Sequence, residues 1–533
     1  MRVARRILAA LPLTTLMGAS AFGAAIMGTV TGPDGQPVMG AFVAAENPQS
    51  RMTMTVLSDA SGRYRIDDLK GATYTVRVDG IGYTSEPRDN VVLAADATAS
   101  FDFALRRIPL RWSDLSTYQG RQLLPKTANH DLTYKDPFFT TCFQSCHSFQ
   151  KRMATQSLDL DGWRARVRYM SETMLEGRHL NDATVEDFAS YLDTMFGKAS
   201  PKPSSPEELP SYKSLVRPVT ATDIVYVEYD FAAEDGMGPW SAVEDKDGKF
   251  WIPYYGRGNK VVRLDPASGE QTPFPLPFSE HAAAGIHSVI PAPDGTVWFT
   301  ELAAGRIGQL DPSTGKITEH QNPPLPNGRR TTAHTVRVDA AGRVWASGGP
   351  AISMFDPKYE RFTHYDLGGT YGNEVGHGGD QWFTSFVEDG PIARVSKDGV
   401  LSKFYPPTKG KPQRLQVDAD GTVWFTERRG GKIGHFDPKT ETFKEYPLPG
   451  PEPSPYAIGI DRNHMVWYSS HEQDTLGRLD PRTGEVTEYP YPHAEISMRE
   501  FFLDSHGRMW YASSVNNKVG YFYLRDASKR VSQ

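Results

Sequence analysis

Tryptophan recurs at Trp251, Trp298, Trp345, Trp382, Trp424, Trp467 and Trp510, at intervals of 47, 47, 37, 42, 43 and 43 residues. Most of these follow an Asp-Gly-like turn: Asp247-Gly248, Asp294-Gly295, Ala341-Gly342, Asp420-Gly421 and His506-Gly507. A strand such as Arg306-Ile307-Gly308-Gln309-Leu310 comes next. It ends in an Asp-Pro turn, as at Asp265-Pro266, Asp311-Pro312, Asp356-Pro357, Asp437-Pro438 and Asp480-Pro481. A period in the forties with about four short strands per unit builds the blades of a propeller. Seven tryptophans therefore predict a seven-bladed β-propeller over residues 222–526. The strand Ile224 to Tyr229 precedes the first full unit and is expected to close the ring against Val519 to Phe522.

These repeats resemble the streptogramin (virginiamycin B) lyase propeller family. The resemblance is carried by Gly295-Thr296-Val297-Trp298-Phe299-Thr300-Glu301 with Arg306-Ile307-Gly308, and by Gly421-Thr422-Val423-Trp424-Phe425-Thr426-Glu427 with Lys432-Ile433-Gly434. It implies a C–O lyase in which a last-blade histidine is the base and glutamates hold Mg²⁺. In that blade this chain carries Arg499-Glu500, and Trp510-Tyr511-Ala512-Ser513 lacks the matching Glu. The blade before it has Pro455-Tyr456 in place of Pro-His.

Alignment on the tryptophans puts Trp240, His287, His334, Tyr371, Gln413, Tyr456 and Arg499 at one position, 11 residues earlier. Polar and aromatic side chains converging on a channel are candidates for a site. His287 lies 14 residues before Glu301, with His334 in the next blade. The candidate catalytic residues are thus His287, Glu301, His334 and Arg499, with Mg²⁺ possible and His377 and Arg414 near the same end. Channel residues without a catalytic role are the alternative.

Upstream, residues 26–106 alternate apolar and polar positions, as in Tyr74-Val76-Val78 and Phe101-Phe103-Leu105, which predicts a small β-sandwich. Gly28-Thr29-Val30, Asp34 to Val38, Ala41-Phe42-Val43 and Asp59 to Tyr64 resemble a carboxypeptidase-regulatory-like domain, implying a non-catalytic module. Residues 1–25 read as an export signal, with Arg2, Arg5 and Arg6 before the apolar run Ile7 to Met17. The expected location is periplasmic or secreted, with no membrane segment once the signal is removed. A net charge of −6 on 533 residues argues against nucleic acid as a partner.

Residues 107–198 have helical spacing, with Trp163, Val167 and Met170 on one face and Phe188, Tyr191, Leu192 and Met195 on another. Residues 199–221 form a Pro-rich linker. The two cysteines of the chain lie in Cys142-Phe143-Gln144-Ser145-Cys146-His147. This is one residue longer between the thiols than the usual covalent haem signature. With the helices, the segment resembles a class I cytochrome c domain, implying haem c on Cys142 and Cys146. His147 would be the proximal iron ligand and Met170 the distal one, with Met174 or His179 as alternatives. A local disulfide is the competing reading. The overall expectation is a mainly β chain with a small all-α cytochrome c-like domain, acting as a periplasmic haem protein in electron transfer or as an oxidoreductase. Its channel would bind a small-molecule substrate or a redox partner protein. A lyase and a non-catalytic scaffold are the alternatives.

Overall fold

The computed structural model describes residues 23–143, 150–173, 179–233, 238–256, 258–277 and 284–525. Seven antiparallel four-stranded blades dominate it. Blades 1 to 6 run in chain order from Val243–Glu244 to Val486–Pro490, each sheet built from four consecutive strands. Blade 7 is made of Phe502–Leu503, Met509–Ser513 and Lys518–Leu524, and its fourth strand is Ile224–Asp230. Tyr229 pairs with Val519 and Tyr226 with Phe522, so the strand preceding the repeats closes the ring.

The repeated residues explain the blades. The indole N–H groups of Trp251, Trp345, Trp467 and Trp510 each donate to the turn aspartate six residues earlier: Asp245, Asp339, Asp461 and Asp504. A large apolar ring thus sits between blades with its one polar atom satisfied. The glycine of the Ile-Gly motif is required for packing. A Cβ on Gly308 would lie 2.1 Å from Phe299 Cζ, and one on Gly434 would lie 2.1 Å from Phe425 Cζ.

The N-terminal domain forms two sheets over a common core. One contains Ala24–Thr31 and Arg63–Leu69; the other contains Phe42–Asn47, Met52–Leu57 and Ala72–Gly80. The second sheet does not end at the domain boundary. Met52–Leu57 pairs antiparallel with Ile224–Asp230, from Met52↔Tyr229 to Val56↔Val225, giving one continuous ten-stranded sheet. The core is shared as well: Val43, Val56 and Tyr74 lie in one apolar cluster with Val227, Tyr229, Phe250 and Trp510.

Between these two parts lie α1 (Thr117–Leu123), α2 (Leu160–Thr173) and α3 (Asp182–Phe196), with wide helical turns at Phe139–Phe143 and Gln150–Ala154. Asn181 caps α3 by accepting from Thr184 N. The cytochrome c-like domain expected here is not evident. The helical periodicity of Trp163, Val167, Phe188, Tyr191 and Leu192 is real, but it marks a core in which these side chains pack with Phe138, Phe139 and Met153. Apolar spacing specifies which face of a helix is buried, not what it is buried against. The residues expected as a linker fold back, with Trp112 Nε1 donating to Pro203 O. This helical segment docks on blades 5 and 6. Arg121 bonds Glu452 at 2.7 Å and approaches Glu472 at 3.4 Å, while Gln150 donates to Asp474 at 3.0 Å. Among the described residues no helix is long and apolar enough to cross a membrane.

Candidate functional site

The inner strands of the blades position the channel side chains through a shared device. In blade 2, Ile286 pairs with Glu301 and Val289 with Phe299, so His287 and Ser288 together oppose Thr300. The same two-against-one bulge occurs in blades 4, 5 and 6. Bulges re-aim side chains, and here they turn consecutive residues toward the channel and the neighbouring blade. The hydroxyl two residues after the blade tryptophan fixes each bulge. Thr300 Oγ1 accepts from Ser288 N at 3.0 Å and donates to His334 O of the next blade at 2.8 Å. Thr384, Thr426 and Ser469 repeat this pattern with Gly372, Arg414 and Ala457 as donors. A Ser or Thr at that offset was visible in the sequence as part of the Trp-Phe-Thr motif, and its role emerges only with the register.

Six of the seven aligned positions form a contiguous ring. Arg499 Cζ lies 4.4 Å from the Trp240 ring centre. Trp240 Nε1 donates to His287 Nε2 at 2.7 Å. His287 and His334 pack with centroids 3.7 Å apart and their rings tilted, and His334 approaches Tyr371 at 4.2 Å. The Tyr371 and Tyr456 hydroxyls are hydrogen-bonded to each other. Arg499 returns to Tyr456 at 5.3 Å, and Gln413, the seventh aligned residue, is buried. One residue along from Gln413, Arg414 donates to Thr335 Oγ1 at 2.8 Å and to Glu500 at 2.7 Å. Beside Arg414, a narrow cavity of about the size of one water is lined by Arg337, Asn373, Arg414, Gln416 and Glu500 among others. His377 is at the opposite end of its strand, against Asp418 O.

Burial, reinforced by neighbouring cations, holds the imidazoles of His287 and His334 far below their ordinary pKa, so both are neutral. Glu301 behaves differently. Its carboxylate oxygens are buried without a hydrogen-bond partner, and it continues the Val297 and Phe299 face of its strand, away from His287. Burial and Glu319 push it up to about 8. Glu427 repeats this in blade 5, pushed up to about 8 by burial and Glu445. Both carboxyls are thus largely protonated at neutral pH, and among the described residues no three His, Cys, Asp or Glu side chains come together to hold a metal ion. The described residues thus offer no ready-made Mg²⁺ site.

These two carboxyls make stability depend on pH. Their folded pKa lies above the unfolded value, so their contribution is complete below pH ~4.5 and is lost as pH rises through about 8. Melting temperature is expected to fall between pH 5 and 9, and Glu301→Gln with Glu427→Gln should remove at least half of that fall. Parallel thermal scans of the two proteins check this.

Of the residues expected to bind haem, Cys146 and His147 lie outside the described set, as does Met174. Cys142 is half-buried against the helical core, Met170 is half-buried on α2, and His179 is exposed.

Fold and ring together define a β-propeller with a buried polar and aromatic channel site. The virginiamycin B lyase family model matches residues 357–527, and the carboxypeptidase regulatory-like domain model matches residues 25–106. The virginiamycin B lyase of Nocardia farcinica (strain IFM 10152) is 27% identical over 234 residues, covering 41% of this chain and 73% of that protein. A streptogramin B lyase structure superposes with a TM-score of 0.51 at 26% identity, covering 57% of this chain and 98% of that one. Virginiamycin B lyase from Staphylococcus aureus superposes with a TM-score of 0.50 at 24% identity, covering 56% and 98%, and supports the fold. The chain thus carries a virginiamycin B lyase-like propeller behind a carboxypeptidase regulatory-like domain. These similarities overturn the expectation of a haem protein in electron transfer or an oxidoreductase, and favour the lyase alternative.

Proposed function

We propose that this chain is a C–O lyase that acts at the ring end of the channel on an ester-linked small-molecule substrate. The observation that carries this reading is the ring itself, where neutral imidazoles and phenols stand beside the guanidiniums of Arg499 and Arg414. Its support is similarity to lyases above 25% identity over much of the propeller. Elimination removes a proton from the carbon next to a carbonyl. The C–H electron pair becomes a double bond, and the ester C–O bond breaks to release a carboxylate. Negative charge develops on the carbonyl oxygen, and fixed cations in a water-poor site stabilise it strongly. Arg499 and Arg414 take that role. His287 and His334 bind and orient. Export is part of the proposal and rests on the amino-terminal pattern alone.

The test is turnover of virginiamycin B by the full chain. Arg499→Ala and His334→Ala are each expected to lower kcat/KM by about 10²-fold or more. A wild-type chain inactive on virginiamycin B and on simpler esters with an acidic C–H overturns the reading.

A further inference from the structure

Elimination needs a proton acceptor, and hydrogen bonding, burial and neighbouring cations disfavour the ring histidines in that role. His287 Nε2 already accepts the Trp240 indole proton at 2.7 Å, so its own proton sits on Nδ1. Thr335 Oγ1 accepts from Arg414 Nη1 at 2.8 Å and lies 2.8 Å from His334 Nδ1, a contact in which either atom can donate. The lone pair of the His287 imidazole is occupied. Nearby guanidiniums further disfavour their protonation.

The same cations have the opposite effect on a phenol, whose ionised form is negative. Tyr456 is 1% exposed. Arg428, Arg499 and Arg414 stand with Cζ 4.9, 5.3 and 5.9 Å from its ring centre. His471 stacks on it at 4.6 Å and is neutral, its pKa held down by burial, Arg499 and Arg428. Two carboxylates lie in this surround. Glu500 is bonded to Arg414, and Glu472 pairs with Arg121. Three guanidiniums therefore face the phenol with one carboxylate bonded among them.

We infer that Tyr456, hydrogen-bonded to Tyr371 and set among Arg414, Arg428 and Arg499, is the group that takes up and returns the proton in the channel. This rests on the lyase reading. The phenolate oxygen of Tyr456 takes the proton from the carbon next to the substrate carbonyl as the C–O bond breaks. The phenol then returns it to solvent through the Tyr371 hydroxyl. Burial opposes ionisation of Tyr456, but Arg499, Arg414 and Arg428 outweigh it and hold its pKa below the ordinary tyrosine value. Burial and the neighbouring phenol push Tyr371 up, so the pair shares one ionisation.

The experiment follows the tyrosinate ultraviolet band of the full chain during a pH titration, beside the pH profile of kcat. One tyrosine is expected to ionise below the ordinary value of ~10. Tyr456→Phe should abolish that early step and lower kcat by about 10²-fold with KM nearly unchanged. Arg428→Gln, a milder change, should move the step to higher pH and shift the kcat profile with it. An unchanged tyrosine titration in Tyr456→Phe, or wild-type kcat in that variant, overturns the inference while leaving the lyase reading intact. An early step lost in Tyr456→Phe, in a chain that eliminates no ester, supports the ionisable tyrosine and overturns the lyase reading.

Discussion

A chain beginning at residue 107 is expected to be far less stable than the full protein and to aggregate. The closing strand of the propeller, Ile224–Asp230, has a partner on each side: Lys518–Leu524 of blade 7 and Met52–Leu57 of the N-terminal domain. Truncation strips one partner away and leaves a row of unpaired N–H and C=O groups, an invitation to intermolecular pairing. It also uncovers Val225, Val227 and Tyr229, which share their core with Val43, Val56 and Tyr74. At ~1.5–3 kcal/mol for each large side chain returned to water, a few such residues cost more than about 5 kcal/mol, comparable with a domain's whole stability. Contacts outside the sheet are lost too, including Arg525 with Leu57 O and Lys70 with Ala267 O. Thermal melts and light scattering of the two chains measure this. A soluble truncated chain melting within ~3 °C of the full protein would show that the shared sheet contributes little. The N-terminal domain thereby acquires a role without catalysis: it covers the edge at which the propeller closes.

Glu228→Ala should unfold the same seam from within. Glu228 is 1% exposed on the closing strand. It accepts from Tyr491 at 2.9 Å and Tyr511 at 2.8 Å, and His493 Nε2 lies 2.6 Å away. Burial alone would push its carboxyl up. The charges of His493 and Lys518 and the Tyr511 hydrogen bond reverse this and bring it to about 2. Removing it orphans two buried phenols and a histidine, at a cost of about 3–5 kcal/mol. The folded pKa lies below the unfolded value, so the stabilisation is present above pH ~4.5 and is lost as pH falls from there through about 2. Denaturant melts at pH 7 and pH 3 should show a large gap between wild type and variant at the higher pH and a smaller one at the lower. An equal gap at both would mean that the carboxylate charge is not what holds the seam.

The propeller was legible because each blade repeats one local solution, an aspartate turn that binds the indole of its own tryptophan. Closure by Ile224–Asp230 was legible because its apolar run stood outside the repeats. Pairing of Val56 with Val225 was not, because no local pattern links residues so distant along the chain. The 14-residue spacing of His287 and Glu301 suggested a joint site, yet strand alternation and a bulge send the two side chains apart. Helical spacing at Trp163, Val167 and Met170 suggested a cofactor domain, and in the fold Trp163 and Val167 join an ordinary side-chain core. The ring was found by alignment, but its chemistry was not. Which phenol meets which guanidinium depends on how seven blades converge.

The most direct test of lyase action is virginiamycin B ring opening by the full chain in water enriched in heavy oxygen, read by mass spectrometry. Elimination predicts an opened product of unchanged mass that carries no label, with a new carbon–carbon double bond. A product heavier by one labelled water would mean hydrolysis and would contradict elimination in the channel.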